Sequence, residues 1–437
     1  MGVSVTARAL GGALAAIVGP GGATESPAAR AAAAVDGREP QWVTRPRTLD
    51  ELARVVALAH DEGLAVVPRG SGAAQALGAP PRRVDVVVDL GGLDAILEHN
   101  PEDMTATVQA GVTAGALAAR LTAHRQTLPL DPPGWSARTL GGIAATAASG
   151  PLRLRYGTMR DLLLGVRFVQ ADGVVTWGGA RVVKSVTGYD VPKLLVGSLG
   201  TLAVVAELTL RLHPLPEAEA TCFVGLGSVE AAQDLTAAIA DSTLQPSRLE
   251  LLDAAALAAT GLPSASAAIV TSFGSVAAAV RAQQAMLVAQ AARAQARVET
   301  MGPGFWATYD RMLARTGTTV ARVSVTAPRL AATLAEARVA LSGATGVVAT
   351  GCAPLGLLRL AIGAGEPAML AGAIERLRAF VAAEGGSVVV ERAPAALRAA
   401  VDPWGPVPGP TLALMRGLKQ EFDPGRTLNP GRFVDGI

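Results

Sequence analysis

The sequence predicts an α+β protein of more than one domain, and three observations carry that prediction. Short apolar runs suited to strands alternate with longer stretches of helical period, and glycine-rich loops interrupt only the first half. A proline-rich break, His213-Pro214-Leu215-Pro216, then separates that half from an alanine-rich remainder. At 437 residues the chain exceeds what one core can organise, and with 50% apolar residues it can bury several.

The elements follow in order. The segment Ala9 to Val18 is apolar but lacks a basic lead, so it reads as a first helix and not as a secretory signal. From Thr48, the run TLDELARVVALAHDEG places Leu52, Val55, Val56 and Ala59 at helical spacing, with a capping box from Thr48 and Glu51 and a stop at Gly63. Strands are expected at Leu64–Val67, Val84–Leu90 and Ala106–Ala110, and a helix from Thr113 towards His124. Asp131-Pro132-Pro133-Gly134 is a rigid turn, and Ala171-Asp172-Gly173 joins a hairpin of Val166–Gln170 and Val174–Trp177. Glu207–Leu212 alternates polar with apolar, as a half-buried strand does. Beyond the break, strands are expected at Cys222–Gly225, Ala268–Phe273, Val320–Val325, Leu357–Ile362 and Ser387–Glu391. Long helices such as Val276–Arg297 and Pro367–Glu384 lie between them, giving antiparallel strands covered by helices.

Bulk properties exclude several function classes. A formal charge of +2 is too small for an electrostatic nucleic-acid binder, and no run reaches the ~18 apolar residues of a spanning helix. Two cysteines, Cys222 and Cys352, cannot make a disulfide framework or ligate an iron–sulfur cluster or structural zinc by themselves, so no metal site and a reducing, cytoplasmic location are expected.

Two stretches have the composition of a binding site. Thr139–Gly157, TLGGIAATAASGPLRLRYG, and Pro68-Arg69-Gly70-Ser71-Gly72 hold almost no bulky side chains, so backbone N–H groups can reach a phosphate or flat ring that a Cβ would obstruct. The order at the second is strand, loop, strand, which is not the strand, loop, helix of the dinucleotide fingerprint. One ligand held from two sides is the expectation.

Taken together, VPRGSG, DPP, TLGGIAATAASG, RYGTMRDLLLG, KSVTGYDVPKLLVGSLGTL and ELTLRLHP resemble the vanillyl-alcohol-oxidase type of FAD-binding flavoprotein. Within that type the chain looks most like the FAD-binding E subunits of bacterial glycolate oxidases. The match covers Trp42 to Pro216 and the closing FDPGRTLNPGR. It implies a helical lead-in over 1–41, a two-subdomain FAD-binding domain over 42–216, an α+β cap over 217–410, and a segment 411–437 returning to the FAD domain. It puts the pyrophosphate against Arg69, Gly70, Ser71 and Gly72, with Gln75 nearby. Asp131, Pro132, Thr139, Gly141 and Gly142 would line the ring and ribityl side, followed by Thr146, Gly150, Tyr156, Gly157 and Asp161. Val204 and Val205 would meet the adenine through backbone groups, and Asn429 would approach the flavin from the tail. Ala73 and Ala74 replace the hydroxyl or lysine of many relatives, which leaves phosphate binding to Ser71 and backbone donors. With no histidine beside the first loop, the FAD is expected to be non-covalent.

The resemblance further implies a sibling flavoprotein subunit, an iron–sulfur subunit and a small 2-hydroxyacid substrate, with peripheral membrane association through those partners. Such oxidation requires a base for the hydroxyl proton and a cation for the carboxylate. The four histidines, His60, His99, His124 and His213, all precede the cap, so it has no imidazole to offer. Arg359 either faces a carboxylate or is the polar face of a half-buried strand; Lys184, Tyr189, Asp190 and Lys193 either serve the site or fix their loop. Two alternatives stand beside a complex subunit: a self-sufficient oxidoreductase drawing its base from Tyr189, Tyr309 or an aspartate, and a structural subunit that has lost FAD.

Overall fold

The computed structural model describes residues 7–180 and 189–437. The first sheet takes the strands Ala23–Thr24, Trp42–Thr44, Val86–Asp89 and Val66–Arg69 in that order, parallel except at its first pair. The helix Leu49–Asp61 connects two of these strands and buries Leu52, Val55, Val56 and Ala59 completely. Each larger apolar side chain among them contributes about 1.5–3 kcal/mol by leaving water. Thr48 Oγ1 accepts the Glu51 amide at 3.1 Å, but the Glu51 carboxylate accepts from Arg47 N at 2.7 Å, so the expected capping box closes one residue early.

The second sheet is antiparallel, in the order Ile96–Asn100, Thr105–Gln109, Val204–Arg211, Leu163–Val169, Val175–Gly179. Here the half-buried reading of Glu207–Leu212 is corrected. Val204 to Leu210 are all buried, because this strand is the middle of five with packing on both faces. Its polar residues are paired accordingly: Thr209 Oγ1 lies 3.0 Å from Thr107 Oγ1, and Glu207 pairs with Arg167 at 3.4 Å.

An antiparallel eight-stranded sheet follows, starting at Ala218. Its order is Val298–Thr300, Ala218–Leu226, Ala267–Ser275, Arg248–Asp253, Val348–Gly351, Leu357–Ile362, Thr319–Ser324, Ser387–Arg392. Arg248–Asp253, Val298–Thr300 and Val348–Gly351 were not foreseen from the sequence. On one face Leu249, Leu251, Val323, Leu358 and Leu360 pack with the helices Val229–Ala240, Ala277–Arg293, Leu330–Ala340 and Pro367–Ala382. By the two-residue period of a strand, Glu250, Arg322, Thr350 and Arg359 take the other face.

After the helix Gly409–Phe422, the chain runs back to the first sheet. Leu428 bridges Val66, with Val66 N donating to Thr427 O at 2.7 Å and Asn429 N to Val66 O at 2.8 Å. Asp423, fully buried, accepts Lys419 Nζ at 2.6 Å and the amides of Thr427 and Leu428, which holds this turn in place. Among the described residues no helix is long and apolar enough to cross a membrane.

Candidate cofactor notch and arginine-lined cleft

The two glycine stretches meet. Gly70 passes so close to Thr139 that a Cβ would collide with its Oγ1, while Thr139 caps the helix Leu140–Thr146 by accepting from Gly142 N at 3.3 Å. Gly72 holds φ +75°, which an L side chain disfavours. Between them lies a notch lined by Arg69, Gly70, Ser71, Gly72, Gln75, Thr139, Gly142, Thr146 and Asn429 of the predicted residues, together with Arg138, Leu199 and Arg432.

This notch has unspent hydrogen-bonding capacity. The amides of Ser71, Gly72, Ala73 and Ala74 donate to no described residue, and four successive open N–H groups make an anion cradle. Asn429 sits at φ 44°, donates Nδ2 to Leu199 O at 2.6 Å, and leaves Oδ1 buried without a partner among the described residues. Unpaired buried acceptors are rare enough to suggest a missing donor. Arg432, overlooked in the sequence, holds the loop from behind: it pairs with Asp36 at 3.0 Å and donates to the carbonyls of Gln75, Leu77 and Ala79. A doubly phosphorylated, elongated nucleotide fits such a set of donors.

Of the remaining predicted site residues only Gly150 lines the notch or the cleft beside it, and the others make the following contacts within the fold. Gly141 N is committed to Ala110 O at 2.8 Å, and a Cβ there would strike Ala110, so this glycine serves helix-to-strand packing. The Asp131 carboxylate accepts from Leu152 N at 2.9 Å and Arg248 Nε at 3.1 Å, tying the DPP turn to the third sheet, and Pro132 beside it is buried. Tyr156 stacks edge-on against His213 with centroids 5.0 Å apart. Asp161 accepts from Thr158 N at 2.7 Å, and Gly157 is pressed against that carboxylate. Val204 and Val205 are core residues of their strand. Gly150, where a Cβ would strike Asp131 O, opens on the cleft.

The cleft, 660 Å³ in volume, adjoins the notch and shares Ala73, Ala74, Arg138 and Thr146 with it. Its far wall is the face of the eight-stranded sheet opposite those four helices, partly covered by the helix Phe305–Arg315. Register sets Arg322 directly opposite Arg359, and Arg359 opposite Thr350. Like charges in facing positions destabilise a sheet. Glu391 offsets part of this by accepting Arg322 Nε at 2.9 Å, and Arg359 donates Nη2 to Leu313 O at 2.8 Å. Among the described residues Arg138, Arg153, Arg160 and Arg392 line the same space, against only Glu250 and Glu391. Burial lowers the pKa of Arg359, Arg138 and Arg153, so each gains from an anion. Burial also pushes Glu250 up to about 8; its Oε2 accepts Tyr309 Oη at 2.6 Å.

Of the loop cluster, Lys184 lies outside the described residues. Tyr189 is 96% exposed, and Asp190 caps a short helix and pairs with Lys193 at 2.7 Å, so these two fix their loop. The histidines lie apart from the cleft: His60 near Thr427, His99 and His124 edge-on to each other, and His213 against Tyr156.

Two family models match the chain: an FAD binding domain over residues 40–179, and the C-terminal domain of FAD linked oxidases over 215–344 and 407–433. Together they cover most of it. The chain belongs to the FAD-linked oxidases built from these two domains. Its fold is shared with p-cresol methylhydroxylase, at TM-score 0.78 and 16% identity over 97% of this flavoprotein and 96% of that chain. It is shared also with alkyldihydroxyacetonephosphate synthase, at TM-score 0.77 and 18% identity over 97% and 86%. In sequence the flavoprotein is 33% identical to glycolate oxidase subunit GlcD of Bacillus subtilis over 53% of its own length and 50% of that protein. It is 32% identical to a D-lactate dehydrogenase of Archaeoglobus fulgidus over 48% and 47%. The chain thus spans about half the length of these curated relatives. An uncharacterized FAD-linked oxidoreductase of Mycobacterium tuberculosis matches at 27% over 90% of this chain and 91% of its own.

Proposed function

We propose that this flavoprotein oxidises a small 2-hydroxyacid at FAD, as a subunit of a glycolate-oxidase type complex. The observation that carries the substrate class is the arginine row on the cleft wall. Six arginines face two glutamates there, one of them neutral over much of the physiological range, so the space favours an anion. Arg359, with Arg138 across the cleft, holds the substrate carboxylate, while Arg322 stays with Glu391. Bound there without a covalent link, FAD would supply the two-electron acceptor for the substrate's hydride. The open amides of residues 71–74 hold its phosphates, and Asn429 Oδ1 accepts a donor from it. The glycolate oxidase and D-lactate dehydrogenase relatives support the same substrate class.

Complex membership rests on chemistry: two cysteines cannot hold the cluster that would carry electrons onward, so a sibling flavoprotein subunit and an iron–sulfur subunit complete the path. The E-subunit reading stands beside a partial match to a D subunit, and native co-purification with iron–sulfur absorbance tests it. A cytoplasmic location, with membrane association only through partners, goes with this reading. The self-sufficient alternative gains from one observation, a carboxyl group inside the cleft where no imidazole was available.

The deciding experiment is anaerobic mixing of the FAD-loaded protein with glycolate, D-lactate and 2-hydroxyglutarate. Bleaching of the flavin by at least one is expected, and Arg359→Met should raise KM about 10–100-fold with flavin content unchanged, the ~1.5–3 kcal/mol of one charge-assisted hydrogen bond. Bleaching by none of them would end the proposal.

A further inference from the structure

We infer that Glu250, positioned by Tyr309, accepts the hydroxyl proton of the substrate in the cleft. This rests on the 2-hydroxyacid reading above and names the residue that the reading still lacks. Glu250 lies mid-strand on Arg248–Asp253, on the face the register turns towards the cleft. It is 5% exposed, yet among the described residues it forms no ion pair, and its one hydrogen-bond donor is Tyr309 Oη. A carboxyl group kept for the fold alone would be paired or replaced, because burying it with one partner is costly. Its second oxygen, Oε1, receives nothing from the described residues.

Tyr309 is anchored for the task. Its helix, Phe305–Arg315, packs it between Phe305 and Trp306, with ring centroids at 5.8 and 5.7 Å, and the Thr350 hydroxyl stands beside its oxygen. The charged and titratable groups around the pair are Asp131, Arg153, Arg359 and Cys352. In the reaction the hydroxyl proton passes to the Glu250 carboxylate as the C–O bond becomes C=O. The hydride on the same carbon leaves to FAD, which takes both electrons, and the product is a 2-oxoacid.

The Tyr309 hydrogen bond favours the ionised carboxylate and burial opposes it, which leaves Glu250 titrating near 8. The test is a pH profile combined with infrared titration of the FAD-loaded protein. In the parent, kcat/KM should rise with pH through a limb near 8, alongside loss of a buried carboxyl band. Glu250→Gln should lose both limb and band and lower kcat about 100-fold or more, with oxalate affinity within about threefold of the parent. Tyr309→Phe should lower kcat less than Glu250→Gln does and move the limb to higher pH. A Glu250→Gln protein that turns over at the parental rate, or a parent whose carboxyl band does not titrate near 8, would overturn the assignment. If the parent flavin is bleached by no 2-hydroxyacid, the function itself fails first. If it is bleached equally with and without Glu250, only this inference does.

Discussion

The notch and the cleft adjoin, yet they are built from opposite materials. The notch is made of main chain: open amides at 71–74, a glycine pressed on Thr139 and a glycine at positive φ. The cleft is made of side chains, one or two from each of several strands, brought together by sheet register. A backbone site depends on the absence of side chains over a few consecutive residues. A side-chain site depends on pairing between residues up to a hundred positions apart, and its members can change without disturbing the loops next door.

That contrast can be broken most sharply at Gly142. Gly142→Asp should abolish flavin retention, since a carboxylate would enter the notch beside the phosphate donors, while circular dichroism stays at the parental level. Flavin-to-protein absorbance at the parental ratio would contradict the placement. Asp423→Ala tests the tail that backs the notch. It would leave the buried Lys419 ammonium without its counter-ion and cost about 3–5 kcal/mol of stability in chemical denaturation, with flavin affinity falling as Asn429 loosens. A third test concerns the cleft alone. Because the folded-state pKa of Glu250 is raised, its contribution is fully present below the ordinary 4.5 and is lost as pH climbs to about 8. Tm should decline over that window and decline less in Glu250→Gln. Smallest of all, Thr48→Ala removes an N-cap far from both sites and should cost about 1 kcal/mol with flavin content unchanged.

The same contrast explains what could be read in advance. The loops at 69–75 and 139–146 were legible because their function is written in consecutive residues. At Gly141 and Gly157 the same residue type also permits close packing of one element on another, a use that only the neighbours, Ala110 and Asp161, reveal. Asp131 was placed at the ligand only by the resemblance, and its partners in the fold, Leu152 and Arg248, lie 21 and 117 positions away, beyond any local reading. Arg322, Arg359, Thr350 and Glu250 each sit in an apolar run at an alternate position, an ordinary solvent-face pattern when taken singly. A charge set within the apolar residues of RLELLD, VARVS and LLRLAI was the available signal. It becomes a site only when the strand order puts those charges on one wall.

Asn429 and Arg432 give the notch its late-arriving side. A growing polypeptide that has released its glycine loops from the ribosome still lacks the residues that brace them, so cofactor capture must wait until synthesis is nearly finished. Flavin occupancy therefore reports on chains that have been made through to that segment, and a protein clipped just ahead of it would be expected to emerge colourless even with every phosphate-facing amide intact.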